Sequence, residues 1–596
     1  MMRALALSLC LFGSLPLTYA GDIHVATHGD DGSVGSELHP LRTMEGARNA
    51  VQRLRIEDPD SAIHVVVHEG TYSITSQWSL SGQDSGTESA PVVYTAAEGE
   101  KVVISGTVPC TRLGLAIQLD DYAQLPEVAK KHVLVYSVDI DKNSDLFNIP
   151  TRSLDTPMQP APAELLATGR MLRRAAYPNS QWASFERDSA STFAERFNGR
   201  AWFHAFTDLN DEDSYRPLDQ VKLQNVRQGA RFRIENVLSE LDSPGEWYLD
   251  SENSRVLWWP IHNDDVCPAL TSLETLVSLY DVEHVSIEGF TFEGARVQAI
   301  EIAGGYNCSI RNCKVRCVGN VGINVFHGQH HSIEECEIHS IGSSGIRIQG
   351  GDLESMELAE HVCIKNVIHD TGKSFRAQRA AIDVHGVGIS VRENTLHDLP
   401  DWAICIHGDS HFVEFNEIYN VCQETSDTGA IYLAQHESFR NNRIAFNHIH
   451  HVGSFEQRNV FAIYLDGRTS NTQVVGNWIH DAPRAIVARA GSRNEMRNNV
   501  IFDCLVGIQV EPADDSQENR VVSNVIASEN AIVISENQRS TKIAQNTRRI
   551  DELFVDHRAG DLAFKNIDLA QSFGISELPF GNQAASPLTG SVLVSK

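Results

Sequence analysis

The sequence predicts an all-β fold, a parallel β-helix solenoid with an N-terminal cap and an inserted β-rich domain, and three observations predict it. First, from residue 299 onward a pattern recurs: a small residue, Ile, any residue, then Val, Ile, Leu or Ala, as in "AIEI", "GINV", "AIDV" and "AIYL". Its Ile falls at 300, 323, 346, 382, 404, 431, 463, 486, 508 and 532, giving spacings of 23, 23, 36, 22, 27, 32, 23, 22 and 24. The short spacings suit one solenoid coil, and the longer ones a coil carrying a loop. Second, Phe290, Cys313 and Cys336, then Asn366, Asn394, Asn416, Asn447, Asn477, Asn499 and Asn524, run in step with the Ile. Each sits two residues ahead of an apolar position. Seven Asn in consecutive coils predict an internal amide ladder at a bend, with each Asn in the left-handed backbone region it tolerates and bonded to its copy ~4.8 Å away. Third, the apolar positions alternate with period two, which argues against a helical solenoid.

The elements follow in chain order. Residues 1–20 carry one Arg, an apolar run and a small residue at Ala20, the pattern of a cleaved secretory signal, so the mature chain is expected to begin near Gly21 and to be secreted or periplasmic. Cys10 lacks the small neighbours of a lipidated cysteine, and no later apolar stretch approaches the ~20 residues of a membrane span. Residues 21–110 form the cap and first coils: "TMEGARNAVQRLR" is an amphipathic helix suited to closing the open solenoid end, and "AIHVVVHEGTY" and "APVVYTA" are strand-like. Residues 111–270 lose the period and hold the hairpin-like "GEWYLDSENSRVLWWP", which marks the inserted domain. The β-helix then runs over 271–550, and 551–596 form a C-terminal segment.

Bulk charge narrows the partners. With 49 Lys+Arg against 78 Asp+Glu the chain carries −29, which opposes nucleic acid and anionic lipid. Of 11 Cys one leaves with the signal, and several of the rest fall at repeat positions as small buried hydrophobes, so no disulfide is predicted. No compact acidic cluster of the calcium-binding kind stands out, and neither a metal nor another cofactor is expected. Oligomeric state is left open.

If each Ile and the apolar residue two positions on point inward, the residue between them and the one after point outward. That rule gives an outer row of Phe326, Gln349, His385, His407, Ala434, Asp466, Arg489 and Glu511, beside a second row of Asp383, Cys405, Tyr432, Tyr464 and Val487. Tyr432 and Tyr464, on adjacent coils, read either as a sugar-stacking platform or as half-buried strand aromatics. His385 and His407 read as substrate hydroxyl contacts, acid–base support or bare ladder residues. His436, Glu437 and Glu424 flank the same face. Hydrolysis of a glycosidic bond needs one carboxyl to protonate the leaving group and another, ionised, to attack the sugar or activate water. Asp466 in "FAIYLDG" is the best single candidate, and Asp427 in "ETSDTGAIY" opens the preceding coil; each also reads as a turn residue.

Taken together, "DSGTESAPVVYTAAEGEKVVISG", "RAAIDVHGVG", "NTLHDLPDWAICIHGDSHFVEFNEIYNV", "ETSDTGAIY" and "AIYLDG" resemble the right-handed parallel β-helix glycosidases of glycoside hydrolase family 141, over about residues 24–530. The resemblance implies an exported hydrolase of plant-type polysaccharide, fucosidase- or xylanase-like, with two catalytic Asp that map onto Asp427 and Asp466. Relatives often carry a second Asp after the latter, where this chain has Gly467. Geometry tests the mapping. On straight adjacent strands the two acids would be offset by seven steps, ~23 Å, far beyond the ~5–9.5 Å a glycosidase needs, so the chain must bend at one of them. Without a bend, Glu511, roughly 10 Å from Asp466 along the same row, becomes the partner, with Arg489 between them.

Two rivals stand beside this reading. A lyase or epimerase on the same solenoid would need a base such as Lys373 or Arg379 in "HDTGKSFRAQR". A non-catalytic carbohydrate-binding solenoid would present the same polar rows without a cleft.

Overall fold

The computed structural model of the chain describes residues 19–575, apart from 119–121, 141–143, 145, 147–160, 187–200, 207–212, 219–220, 222–225, 227, 262–265, 435, 437–438, 455–458, 536–540 and 560. Most of the signal-like stretch, Glu437 and residues 576–596 lie outside the described residues.

The period of the sequence becomes a parallel β-helix. Three long parallel sheets, of 14, 12 and 12 strands, run the length of the chain. Each coil lays one short strand in each sheet in turn, as with Ile404–Asp409, Phe412–Glu414 and Glu417–Val421. The repeating Ile occupy the second sheet, where Ile300 pairs with Ile323, and so on through Ile346, Ile382, Ile404, Ile431, Ile463, Ile486, Ile508 and Ile532 without a slip. Loop insertions therefore leave the register untouched, because a one-residue slip would carry the whole apolar set to the outer face. From Ile300 to Ile508 these side chains are fully buried, each contributing about 1.5–3 kcal/mol by leaving water.

The amide ladder sits between the first and third sheets. Asn366, Asn394, Asn416, Asn447, Asn477, Asn499 and Asn524 are each wholly buried, and each Nδ2 donates to the Oδ1 of the next at 2.9–3.1 Å, the last onto Asn546. The same Oδ1 also accepts a backbone N–H of the preceding coil, as Asn416 does from Asn394 at 3.0 Å. In the earlier coils the thiols of Cys313 and Cys336 donate to Ile287 and Ile310 carbonyls, as Asn366 donates to that of Ile333. The left-handed backbone belongs to the residue before each ladder position, among them Lys365, Glu393, Phe415 and Phe446, with φ between 56° and 57°, and not to the Asn itself. This corrects the expectation from sequence. The Asn is selected for its amide, which needs both a donor and an acceptor in a dry interior, whereas its neighbour makes the turn.

A second buried ladder lines the bend between the second and first sheets. There His331 Nδ1 accepts from Cys308 N, His361 Nδ1 from His331 N and His411 Nδ1 from Ile389 N, each at 3.1 Å. Asn442, Asn494 and Asn519 continue it in later coils.

The helix Met44–Glu57 opens on Thr43, whose hydroxyl accepts from Gly46 N at 3.0 Å, and buries Met44, Ala47, Ala50 and Val51 against the first coils. Strands of those coils rejoin the later ones across a long excursion: Trp78 pairs with Val277, Val92 with Val285 and Val103 with Thr291. Between them, described residues from Thr107 to Thr271 build an eight-stranded and a five-stranded sheet, including the antiparallel pair Glu246–Asp250 and Arg255–Trp258. Near the C-terminus, Ile550, Leu553, Phe554 and Leu562 pack on Trp478, Val500, Phe502 and Val525, covering the outer face of the third sheet over the last coils. The ten described cysteines are free thiols, nine of them buried. Among the described residues no helix is long and apolar enough to cross a membrane.

Both ladders carry testable consequences. Asn447→Ala strands Asn416 Nδ2 and the Val413 carbonyl in the dry interior, and is expected to lower unfolding stability by about 3–5 kcal/mol in urea titration. Burial pushes His361 from its ordinary value down to about 3. The folded chain thus binds this proton less readily than the unfolded one, so the stability associated with neutral His361 is complete above about pH 6.5 and is lost as pH falls toward 3. His361→Asn, which installs the amide that later coils use, is expected to flatten this acid limb of a melting-temperature profile.

Candidate active site

The outer rows of the second sheet assemble as the alternation requires. Asp383, Cys405, Tyr432, Tyr464 and Val487 pair consecutively, as do Gln349, His385 and His407, and Arg489 pairs with Glu511. Phe326 pairs with Gln349 at the start of the row, and Ala434 and Asp466 lie just past their strands. A third outward row, two residues before each Ile, places Phe461 between Gly429 and Arg484.

Asp466 is half-buried on the outer side, not in the apolar interior. Its Oδ2 accepts from Tyr432 Oη at 2.9 Å and its Oδ1 from Gly467 N at 2.8 Å. Asp427 is exposed, adopts φ 55° and donates its N–H to the Asn459 carbonyl at 2.7 Å. Its Oδ1 accepts from Tyr464 Oη at 3.2 Å and from Arg489 Nη1 at 3.1 Å. The Tyr464 hydroxyl, bonded to Asp427, also lies in the electrostatic field of Asp466, so the two carboxylates meet around neighbouring tyrosine hydroxyls. The bend at Asp427 thus brings the two acids onto adjacent tyrosines, Tyr464 and Tyr432, in place of the ~23 Å offset of straight strands.

Asp401 makes the bend. It is fully buried in the preceding coil, and its Oδ1 accepts the hydroxyls of Thr425 at 2.7 Å and Thr428 at 2.5 Å, while its carbonyl accepts from Cys422 N at 3.1 Å. The loop 422–428 is thereby fastened at three points, with Asp427 at its exposed end. Burial pushes the Asp401 carboxyl up to about 6, against the lowering effect of the two threonines.

The electrostatics are those of a donor set around two acids. Burial, then the nearby Asp466, push both tyrosine hydroxyls well above their ordinary value, so both remain proton donors. Arg489 bonds to Tyr464, Asp427 and Glu511, the last at 3.2 Å. Burial acts to lower its pKa, but Tyr464, Asp427 and Glu511 raise it on balance. Arg489 therefore bridges Asp427 and Glu511, and not Asp466 and Glu511 as the row order suggested. The reason is reach: its long side chain folds back over Tyr464 toward the bend.

Several sequence expectations change here. Tyr464 is wholly buried, packed by Phe461, Val487 and Tyr432, so its ring cannot serve as a stacking surface. The half-buried aromatic pair is instead Trp402 on Tyr432, with centroids 4.6 Å apart and planes at 4°. Glu424 does not open onto the acid pair. Its carboxylate is taken by Arg376 and by Trp182 Nε1 at 3.1 Å, and its carbonyl accepts from Arg231 at 2.6 Å, so it fastens the excursion's sheets to the solenoid. It lines a cavity of about 620 Å³ together with Trp182, His204, Lys373 and Arg376. Lys373 there pairs with Asp370. Arg379 contacts the Gln378 carbonyl and supports the charge of Asp401.

His385 and His407 stack at 4.3 Å with planes at 2°. Asp383 lies 3.0 Å from His385 Nε2 and 3.8 Å from His407 Nε2, and Cys405 Sγ is 3.1 Å from the latter. Burial pushes His407 down to about 4, so it is a neutral imidazole at pH 7. One donor atom from each of Asp383, His385 and His407 lies within 4.8 Å of the others, close enough to hold a cation, but Arg347 Nε at 3.8 Å already supplies Asp383 with positive charge. His436 is exposed and touches Phe439, which in turn meets His407 edge-on.

Asp401, Trp402 and Phe461 escaped the sequence reading. The signal available was the third outward row, since Trp402 and Phe461 both stand two residues before a repeat Ile. Glu424→Ala is expected to release Trp182 and Arg376 and to cost about 1–3 kcal/mol, seen as faster amide exchange around residues 180–184 and 231–233 with little change in the coils.

The comparisons with known proteins agree with this architecture. The family described as a right-handed β-helix region matches residues 271–397, 322–460 and 402–549. A pectate lyase, PEL9, of Emericella nidulans is 33% identical over 116 residues, 19% of this chain and 26% of its own length, so the chain spans about a quarter of that relative. A solved structure titled glycoside hydrolase superposes with a TM-score of 0.64 at 14% identity, covering 94% of this chain and 99% of the other. A complex of XylC with xylose gives a TM-score of 0.48 at 11% identity over 88% and 86% of the chains.

Proposed function

We propose that the protein is an exported glycoside hydrolase that cleaves a plant-type polysaccharide or oligosaccharide with Asp427 and Asp466 as its two catalytic carboxylates. The observation that carries this reading is the paired tyrosines of adjacent coils, Tyr464 bonded to Asp427 and Tyr432 to Asp466, which gather two outward-facing acids in one place. One carboxyl protonates the departing oxygen while the other attacks the anomeric carbon or activates water. Trp402 and Tyr432 offer the ring surface on which a sugar can lie, and His385, His407, His436, Arg489 and Glu511 offer polar contacts around it. Tyr464, Tyr432 and Asp401 act by holding the pair in place. His407 is a neutral imidazole and Arg489 is already matched by Asp427 and Glu511, which suits an uncharged sugar.

Reducing-sugar release from aryl glycosides and plant polysaccharides is expected to fall about 10²–10⁴-fold in both Asp427→Asn and Asp466→Asn, with the fold retained by circular dichroism. The variant that recovers on aryl glycosides with an activated leaving group identifies the proton donor, because such a substrate departs unaided. Wild-type rates in either variant would remove that residue from the reaction.

A second reading, a polysaccharide lyase, is favoured by the segment similar to a pectate lyase and by Lys373 and Arg376 in the 620 Å³ cavity. It requires a new double bond in the product, and so ultraviolet absorbance that grows with cleavage. A carbohydrate-binding solenoid without activity would instead retain sugar affinity and release no product.

A further inference from the structure

The third sheet carries a stack of rings across seven coils: His339, His369, His397, Tyr419, His450, His480 and Phe502, with successive centroids 4.7–5.2 Å apart. Aromatic stacking accounts for this row, since Tyr and Phe fill it as well as His. It does not account for what stands beside it.

His448 lies two residues before His450 on the same strand, in register with Glu417 on one side and Trp478 on the other. Its ring is turned 44° to those of both His450 and His480, at 4.6 and 5.2 Å. That turn brings its Nε2 to 3.1 Å from His480 Nε2, while its Nδ1 stands 4.0 Å from Glu417 Oε1. One donor atom from each of Glu417, His448 and His450 lies within 4.8 Å of the others. The remaining ring nitrogens are spoken for: His480 Nδ1 meets Asp481 Oδ2 at 2.7 Å, and His450 Nδ1 meets His451 Nδ1 at 2.7 Å. The carboxylate on Nδ1 sets the His480 tautomer, so its Nε2 accepts from His448 Nε2–H and leaves His448 Nδ1 with a lone pair on the Glu417 side, the kind of supporting shell that metal-ligating histidines use. His450 is 2% exposed, and its Nε2 is buried with no hydrogen-bond partner. A buried polar atom without a partner costs about 1–3 kcal/mol, a cost that a bound cation would remove.

We propose that Glu417, His448 and His450 form a binding site for a divalent transition-metal ion of the zinc class on the outer face of the third sheet. Ligand atoms on a tetrahedral zinc are about 3.4 Å apart, given bonds of about 2.1 Å, and the three donors already stand within 4.8 Å of one another. The nitrogen-rich donor set disfavours calcium and magnesium, which take oxygen ligands. The ligands come from two successive coils, so the ion acts as a clamp between them. The site belongs to a different sheet from the carboxylate pair and does not depend on the glycosidase reading.

The test uses the untagged full chain, stripped with chelator and titrated with zinc ion alone by calorimetry, with metal content measured after dialysis. One ion per chain is expected in the wild type and in Asp427→Asn, together with a rise in melting temperature. His450→Phe keeps the ring stack, as Phe502 does in the same row, and is expected to lose at least about 100-fold in affinity along with the melting shift; Asp481→Asn, which disturbs only the His480 tautomer, is expected to lose about 10-fold. His369→Phe, in the stack but away from the cluster, is expected to bind as the wild type does. Wild-type protein that takes up no zinc at micromolar concentration, or folded His450→Phe and Asp481→Asn proteins that both bind it undiminished, would overturn the proposal.

Discussion

Every side chain on the outer faces of this protein takes its position from the register in which its coils stack, and the buried amide ladder is the interaction that holds that register. An Asn in a dry interior must satisfy two donor hydrogens and a carbonyl oxygen, and here the partners are the next Asn, a backbone N–H and a backbone carbonyl. A slip of one residue would break this pattern in every coil and turn the repeating Ile outward. The ladder therefore tolerates loop insertions of very different length, such as the 36 residues between Ile346 and Ile382, while fixing what stands one or three positions beyond each Ile.

That constraint explains how chemistry can be mounted on an otherwise uniform solenoid. Regular coils deliver Tyr432, Tyr464, Arg489 and Glu511 to neighbouring rungs, and a single irregular loop delivers Asp427 to meet them. The loop is irregular only at its exposed end. Asp401, Thr425 and Thr428 tie its base inside the solenoid, where burial makes their hydrogen bonds strong and the loop's course well defined. Rigid rungs and one fastened loop together bring acids from two coils to the hydroxyls of neighbouring tyrosines.

The parts legible in the sequence are those that repeat. Ile spacing gave the coils and their register, and the Asn marker gave the ladder, because a periodic demand leaves a periodic trace. The left-handed residue before each Asn left none, since Lys, Glu, Phe, Gly, Asn, Ser and Gln all serve there. The second ladder was hidden by its mixture of His and Asn. Alternation placed Asp466 and Arg489 outward but could not show that Arg489 folds back to Asp427, or that Phe461 and Val487 bury the Tyr464 ring, because these depend on side-chain reach between coils. Glu424 looked like a cleft residue only because its partner Trp182 is 242 positions away in the chain.

The account's central claim is that the stacked coils bring Asp427 and Asp466 to one sugar-binding cleft. A crystal structure of Asp427→Asn soaked with a plant-type oligosaccharide tests it most directly. The account predicts a sugar ring against Trp402 and Tyr432 with a glycosidic oxygen within about 3 Å of the Asp466 carboxylate. Sugar lodged instead in the cavity beneath Trp182 and Arg376, with none in contact with Asp466, would contradict it.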